Sequence, residues 1–204
     1  AYFNSPMIDT ILIFAMATAG VHFGLIYATV TGKRSNIFRS EVTCWYFGML
    51  LAGGVLIAVS LFAADIYPTL TASFRYAMFQ FVSVVTTTGF ATADSNQWTS
   101  FAVILLIFGS IVCACAGSTA GGIKTTTMAI LLLTCAAVIR GRKSTECFGR
   151  RLAESNVRSG IAIVFLTFAI WLTGLFGLAV LEPDERFIDL MYEATSAIGT
   201  VGLS

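Results

Sequence analysis

Between residues 98 and 139, forty-two positions pass with a single charged side chain, Lys124. As one helix this stretch would extend ~60 Å, about twice the ~30 Å hydrocarbon core of a bilayer. It therefore either folds back as two spans or crosses once, with a break and an overhang. Three more apolar runs, 7–30, 42–64 and 159–181, each have the ~20 residues that a spanning helix needs. Charged residues make up 11% of the 204-residue chain and mean hydropathy is +0.85, whereas soluble domains carry about 25% charge. The expected class is an all-α, multi-pass membrane protein. A net charge of +1 provides no field for nucleic acid, which is excluded as a partner. Cys44, Cys113, Cys115 and Cys135 lie in or beside apolar runs without C-x-x-C spacing, so neither a disulfide framework nor a zinc site is expected. The opening residues lack an initiator Met and a basic leader, and the chain reads as a piece of a longer polypeptide.

The run at 74–85 has only about a dozen residues before Thr86-Thr87-Thr88, reaching barely ~20 Å, and is expected to re-enter rather than cross. The segments 32–41 and 140–158 are basic; the latter holds six Lys or Arg against Glu146 and Glu154. Short basic loops stay on the cytoplasmic side, so the two share a face. That parity is met if 74–90 re-enters and 98–139 crosses once.

An offset of 113 residues aligns the two short apolar segments without a gap. Phe74 falls on Phe187, Met78 on Met191, Ser83 on Ser196, Thr87 on Thr200 and Gly89 on Gly202. The preceding spans superpose at the same offset. The chain thus reads as one complete unit of span, short helix, Thr-x-Gly turn and span, plus the first part of another. A short helix ending at mid-membrane aims the negative end of its dipole inward, and the turn after it must expose its carbonyls to water. Such carbonyls can replace a cation's hydration shell, and Thr200-Val201-Gly202-Leu203 reads like a potassium-filter loop. Glycine is wanted at 89 and 202, where a side chain would obstruct the backbone.

The segment GSTAGGIK at 117–124 misses the phosphate-cradling G-x-x-x-x-G-K-[ST] spacing by one residue and has no preceding strand. Its three glycines with Ser118 and Thr119 would instead unwind a membrane helix, which is tolerated only against protein or water. Lys124 is either a positive barrier beneath a cation path or a side chain that snorkels or caps carbonyls. His22 is expected to be a packed or hydrogen-bonded helix residue, and Asp65 and Arg75 a solvated rim. Ser118 and Lys124 are six apart, on different faces of a continuous helix, so hydrolase chemistry is not expected. A secondary transporter with a broken helix at its substrate site would predict an inverted repeat. The 113-residue repeat keeps one orientation.

VVTTTGFATAD at 84–94, GSTAGGIKTT at 117–126, SAIGTVGLS at 196–204 and GVHFGLIY at 20–27 resemble the pore units of the Trk/Ktr/HKT superfamily of potassium-translocating membrane subunits, over nearly the whole chain. The resemblance implies four pseudo-symmetric units around one pore. Residues 1–41 would close the second unit, 42–157 would form the complete third, and 158–204 would begin the fourth. It assigns Thr86, Thr87, Thr88, Gly89 and Phe90, with Ile198, Gly199, Thr200, Val201, Gly202 and Leu203, to filter strands. It assigns Gly117, Ser118, Thr119, Ala120, Gly121, Gly122 and Lys124 to an intramembrane gating loop. The transported ion would be K+, with Na+ the alternative, and no covalent cofactor is implied. The implied surroundings are lipid of the cell inner (plasma) membrane, the absent first and second units, a homodimeric partner and a cytosolic nucleotide-binding regulatory subunit. This chain by itself is not expected to conduct.

Overall fold

The apolar runs fold as helices, the one shape in which a single segment satisfies its own main-chain N–H and C=O groups without water. In the computed structural model, residues 5–32, 40–141, 146–147, 150–151 and 153–203 are described. The connector 33–39 and most of the basic segment 142–152 lie outside them.

The helices in chain order are α1 (Pro6–Ala19), α2 (Phe23–Val30), α3 (Glu41–Ala63), α4 (Leu70–Val85), α5 (Ser100–Ile111), α6 (Thr125–Ile139), α7 (Glu154–Leu181) and α8 (Phe187–Gly199). A 3₁₀ turn at Ser95–Gln97 precedes α5. Between α5 and α6 the two-residue strands β1 (Val112–Cys113) and β2 (Ile123–Lys124) pair in parallel. Glu146–Cys147 (β3) and Arg150–Arg151 (β4) pair antiparallel. Among the described residues α3 and α7 are each long and apolar enough to cross a membrane, and the bent pair α1 and α2 qualifies together as one broken span.

The core gathers α3, α4, α5 and the segment after α5, around the fully buried Tyr46, Phe79, Leu61 and Leu106. α4 lies closely along α3 because Gly53 and Gly54 leave room for Phe81 and Met78, a small-residue contact of the kind that lets membrane helices approach. One packing relation occurs twice: α1 lies against α4 as α5 lies against α8. On α7, Phe165, Phe168, Ile170 and Phe176 are exposed.

Three expectations need correction. First, residues 7–30 are not one continuous helix, because α1 and α2 meet at 101°. Gly20 ends α1 under the ring of Tyr46, whose hydroxyl donates to the Ala17 carbonyl at 3.0 Å. His22 therefore lies between the helices and not within one; its Nδ1 accepts from Gly24 N–H at 2.9 Å and caps α2. Second, Arg75 is not part of a solvated rim. Its guanidinium pairs at 2.6 Å with Asp9, a residue 2% exposed, and ties α4 to α1. Third, the interruption of the long run is wider than its glycine motif, extending from Val112 to Lys124. Parallel pairing of Val112 with Ile123 and Cys113 with Lys124 means that α6 resumes the direction in which α5 ran.

Asp9 and Arg75 also supply a stability prediction. Removing one partner of a buried ion pair costs far more than replacing both by apolar side chains. Asp9→Ala is expected to destabilise the detergent-solubilised protein by about 3 kcal/mol, and the Asp9→Leu, Arg75→Leu double variant to recover most of that loss. Thermal melting of the purified variants checks both.

Candidate functional site

The last turn of each short helix sets the site. Thr86 caps α4, and Thr87 then adopts a left-handed backbone at φ 56°; Gly199 ends α8, and Thr200 follows at φ 57°. Two residues on, Gly89 and Gly202 stand at φ 74° and 76°. The hydrogen bonds repeat as well. Thr87 N–H donates to Val84 and Thr88 N–H to Ser83, while Thr200 N–H donates to Ala197 and Val201 N–H to Ser196, each pair offset by 113 residues. Both helices thus close with the same left-handed C-terminal motif, which satisfies end carbonyls that would otherwise be orphaned. A β-branched residue in the left-handed region is a genuine outlier, costing roughly 1–3 kcal/mol. Two such outliers at corresponding positions identify a feature held by its surroundings.

The extended backbone begins later than the sequence reading has it. Ile198 and Gly199 are still helical and Thr86 is the helix cap, so the non-helical backbone starts at Thr87 and Thr200. Each copy then brings a main-chain strand away from a helix C-terminus, where the macrodipole concentrates about half a negative charge. Val201 and Leu203 are buried, while Phe90 is half-exposed. Thr200 and Gly202 line an open groove of about 470 Å³ with Glu193, Ser196, Ala197 and Leu203. The two strands come close: a Cβ added at Gly89 would collide with the carbonyl of Val201.

The broken segment sits against both turns. Gly121 N–H donates to the Thr87 hydroxyl at 3.1 Å, and a Cβ added at Gly121 would strike the Thr200 hydroxyl. Gly122 packs on Cys113 and Gly199. Thr87, Thr200 and Gly121 thus converge on one place. The loop is knit from within: the Ser118 hydroxyl donates to Cys115 C=O at 2.6 Å, and Lys124 Nζ donates to the carbonyls of Ala120 and Gly121. Of the two readings left open for Lys124, its hydrogen bonds here are those of a carbonyl cap. Among the described residues no carboxylate pairs with it.

The sequence reading did not anticipate what holds the loop from outside. Cys115 N–H donates to Gly20 C=O and Phe23 N–H to Gly117 C=O, both at 3.1 Å, and the Thr119 hydroxyl reaches Ala19 C=O at 3.3 Å. The His22 ring lies on Gly117. Ala114 N–H caps the Val85 carbonyl at the end of α4. The bend between α1 and α2 is therefore the cradle of the loop; Gly20 preceding a lone His22 in an apolar run was its only sequence signal. Above, at the far end of α4, Tyr67 stacks on Tyr76 with ring centroids 4.9 Å apart and accepts from the Trp98 indole at 3.2 Å. Burial pushes the Tyr67 hydroxyl pKa up, against the lowering effect of that hydrogen bond.

The sequence and the fold are similar to those of known proteins. The family described as TrkH, cation transport protein, matches residues 1–204. The Trk system potassium uptake protein TrkH of Salmonella typhimurium is 31% identical over 107 residues, covering 52% of this chain and 22% of the relative. The Ktr system potassium uptake protein B of Bacillus subtilis is 25% identical over all of this chain and 47% of its own length. The crystal structure of the potassium transporter TrkH from Vibrio parahaemolyticus shares the fold at a TM-score of 0.78 and 21% identity, over 98% of this chain and 50% of that one. The chain spans half or less of the length of each of these relatives. The sequence, whose whole length matches, belongs to the TrkH family of cation transport proteins.

Proposed function

We propose that the chain contributes two filter strands and the gate of a potassium-translocating pore in the cell inner (plasma) membrane. Residues 1–41 close one pore unit, 42–157 form a complete unit and 158–204 begin another. The remaining units complete the ring, and the assembly is a homodimer regulated by a cytosolic nucleotide-binding subunit. The curated relatives named as potassium uptake proteins make K+ the favoured ion over Na+.

One observation carries the reading: two left-handed Thr turns, 113 residues apart, aim at the same glycine of a broken helix. Carbonyls of 87–89 and 200–202 would take the place of water around a dehydrated cation, with the C-terminal ends of α4 and α8 behind them. No bond is made or broken. Ser118 keeps its hydroxyl on a loop carbonyl, and Lys124 is engaged likewise, so neither is poised as nucleophile or base. Gly121, held between Thr87 and Thr200, obstructs the path directly beneath the two turns.

Two experiments in the full polypeptide test this. Gly89→Ser, placing a side chain where Val201 C=O already stands at a φ that disfavours one, is expected to lower the K+/Na+ flux ratio by roughly tenfold or more. An unaltered ratio rejects the filter assignment. Removing Ala120 and Gly121 deletes the acceptors of Lys124 and the contact with Thr87, and basal ion flux into proteoliposomes should rise by roughly tenfold. Unchanged basal flux rejects the gate.

A further inference from the structure

The two turns share a backbone but not a means of support. In the first copy the Thr86 hydroxyl sits 2.8 Å from that of Thr88, so side chains across the turn lock each other. The corresponding residues of the second copy are Gly199 and Val201, which have no hydroxyl to offer. Instead Leu203 N–H donates to the Ser196 hydroxyl at 3.0 Å, while Val201 N–H donates to the Ser196 carbonyl at 2.9 Å. One residue thereby grips the strand on both sides of Gly202, the glycine at φ 76° whose flanking peptides have the greatest freedom to rotate. Ser196 is 4% exposed and Leu203 8%, so the bond lies in the buried wall of the groove that Thr200 and Gly202 line. Its repeat-mate Ser83 is also fully buried and makes the same carbonyl bond, to Thr88 N–H, but its hydroxyl has no partner among the described residues.

We propose that Ser196 is a positioning residue for ion selection: its hydroxyl fixes the peptide that follows Gly202, whereas in the other copy the side-chain brace is the Thr86–Thr88 pair, which lies before Gly89. The proposal rests on the filter reading above. It assigns unequal roles to two serines that the 113-residue repeat makes formally equivalent. A cation is discriminated by where carbonyl oxygens are held, so a loosened strand lowers selectivity before it lowers flux.

The test is the K+/Na+ flux ratio of the full polypeptide in proteoliposomes, normalised to inserted protein. Ser196→Ala is expected to lower the ratio about three- to tenfold, as loss of one buried hydrogen bond implies, while total K+ flux stays within about twofold. Ser196→Thr, which keeps the hydroxyl, should restore at least half of the ratio. Ser83→Ala, an equal truncation at the matching site, should move it by less than about twofold. The proposal is overturned if Ser196→Ala leaves the ratio within twofold of the parent, if Ser83→Ala lowers it equally, or if Ser196→Thr behaves like Ser196→Ala. Gly202→Ser in the same assay separates the two levels. A collapsed ratio there beside an intact one in Ser196→Ala rejects the brace alone, and an intact ratio in Gly202→Ser rejects the filter and the brace together.

Discussion

Everything at this site depends on where unwound main chain can find partners in a medium that offers no water. Between α5 and α6 the chain leaves helical geometry for thirteen residues, from Val112 to Lys124. Each freed N–H or C=O left bare in hydrocarbon would cost several kcal/mol. The structure answers with main-chain exchanges: Ala114 with Val85, Cys115 with Gly20, Phe23 with Gly117 and Thr125 with Ala114, besides the β1 and β2 pairing. Two of these partners belong to the bend between α1 and α2. That bend frees its own carbonyls at the same depth, so two broken helices satisfy each other where neither could alone. Lys124 follows the same logic: its ammonium takes loop carbonyls in place of a counter-ion.

This exchange fixes where the turns lie. With α4 held to α1 by Asp9 and Arg75, and its last carbonyl capped by Ala114, the C-terminus of α4 has little freedom to shift relative to the loop. α8 is fixed separately, through the Trp171 indole on the Thr195 hydroxyl at 2.9 Å and through close contact of Gly199 with the Ser110 carbonyl. Strained left-handed Thr residues persist only where surroundings over-determine them, and here both are gripped by helix-end hydrogen bonds and by Gly121.

What the sequence made legible was periodic or compositional. The 113-residue offset anticipated that Thr87 and Thr200, and Gly89 and Gly202, would share a conformation, because equal residues at equal distance from equal helices meet the same local physics. The glycines at 117, 121 and 122 announced a break, since they remove the side-chain packing that sustains a membrane helix. The bend at residues 20–22 went unread because its cause is tertiary: Tyr46, 29 residues beyond Ala17, fills the space over Gly20 and takes the Ala17 carbonyl. Arg75 was misjudged for the same reason. Its partner Asp9 lies 66 residues earlier, and an acid near the start of one apolar run carries no mark of which base it will meet.

The repeat also shows how identity of fold coexists with division of labour. Corresponding helix ends need the same backbone motif, since a helix C-terminus in apolar surroundings has few ways to close. The side chains behind that backbone are under no such constraint. Thr86 and Thr88 brace one copy before its glycine, and Ser196 braces the other after its glycine, through different bonds. A ring built from such units is therefore not obliged to be uniform in stiffness. On the filter reading proposed above, unequal support among the strands would let the carbonyls of the looser one follow a cation more readily.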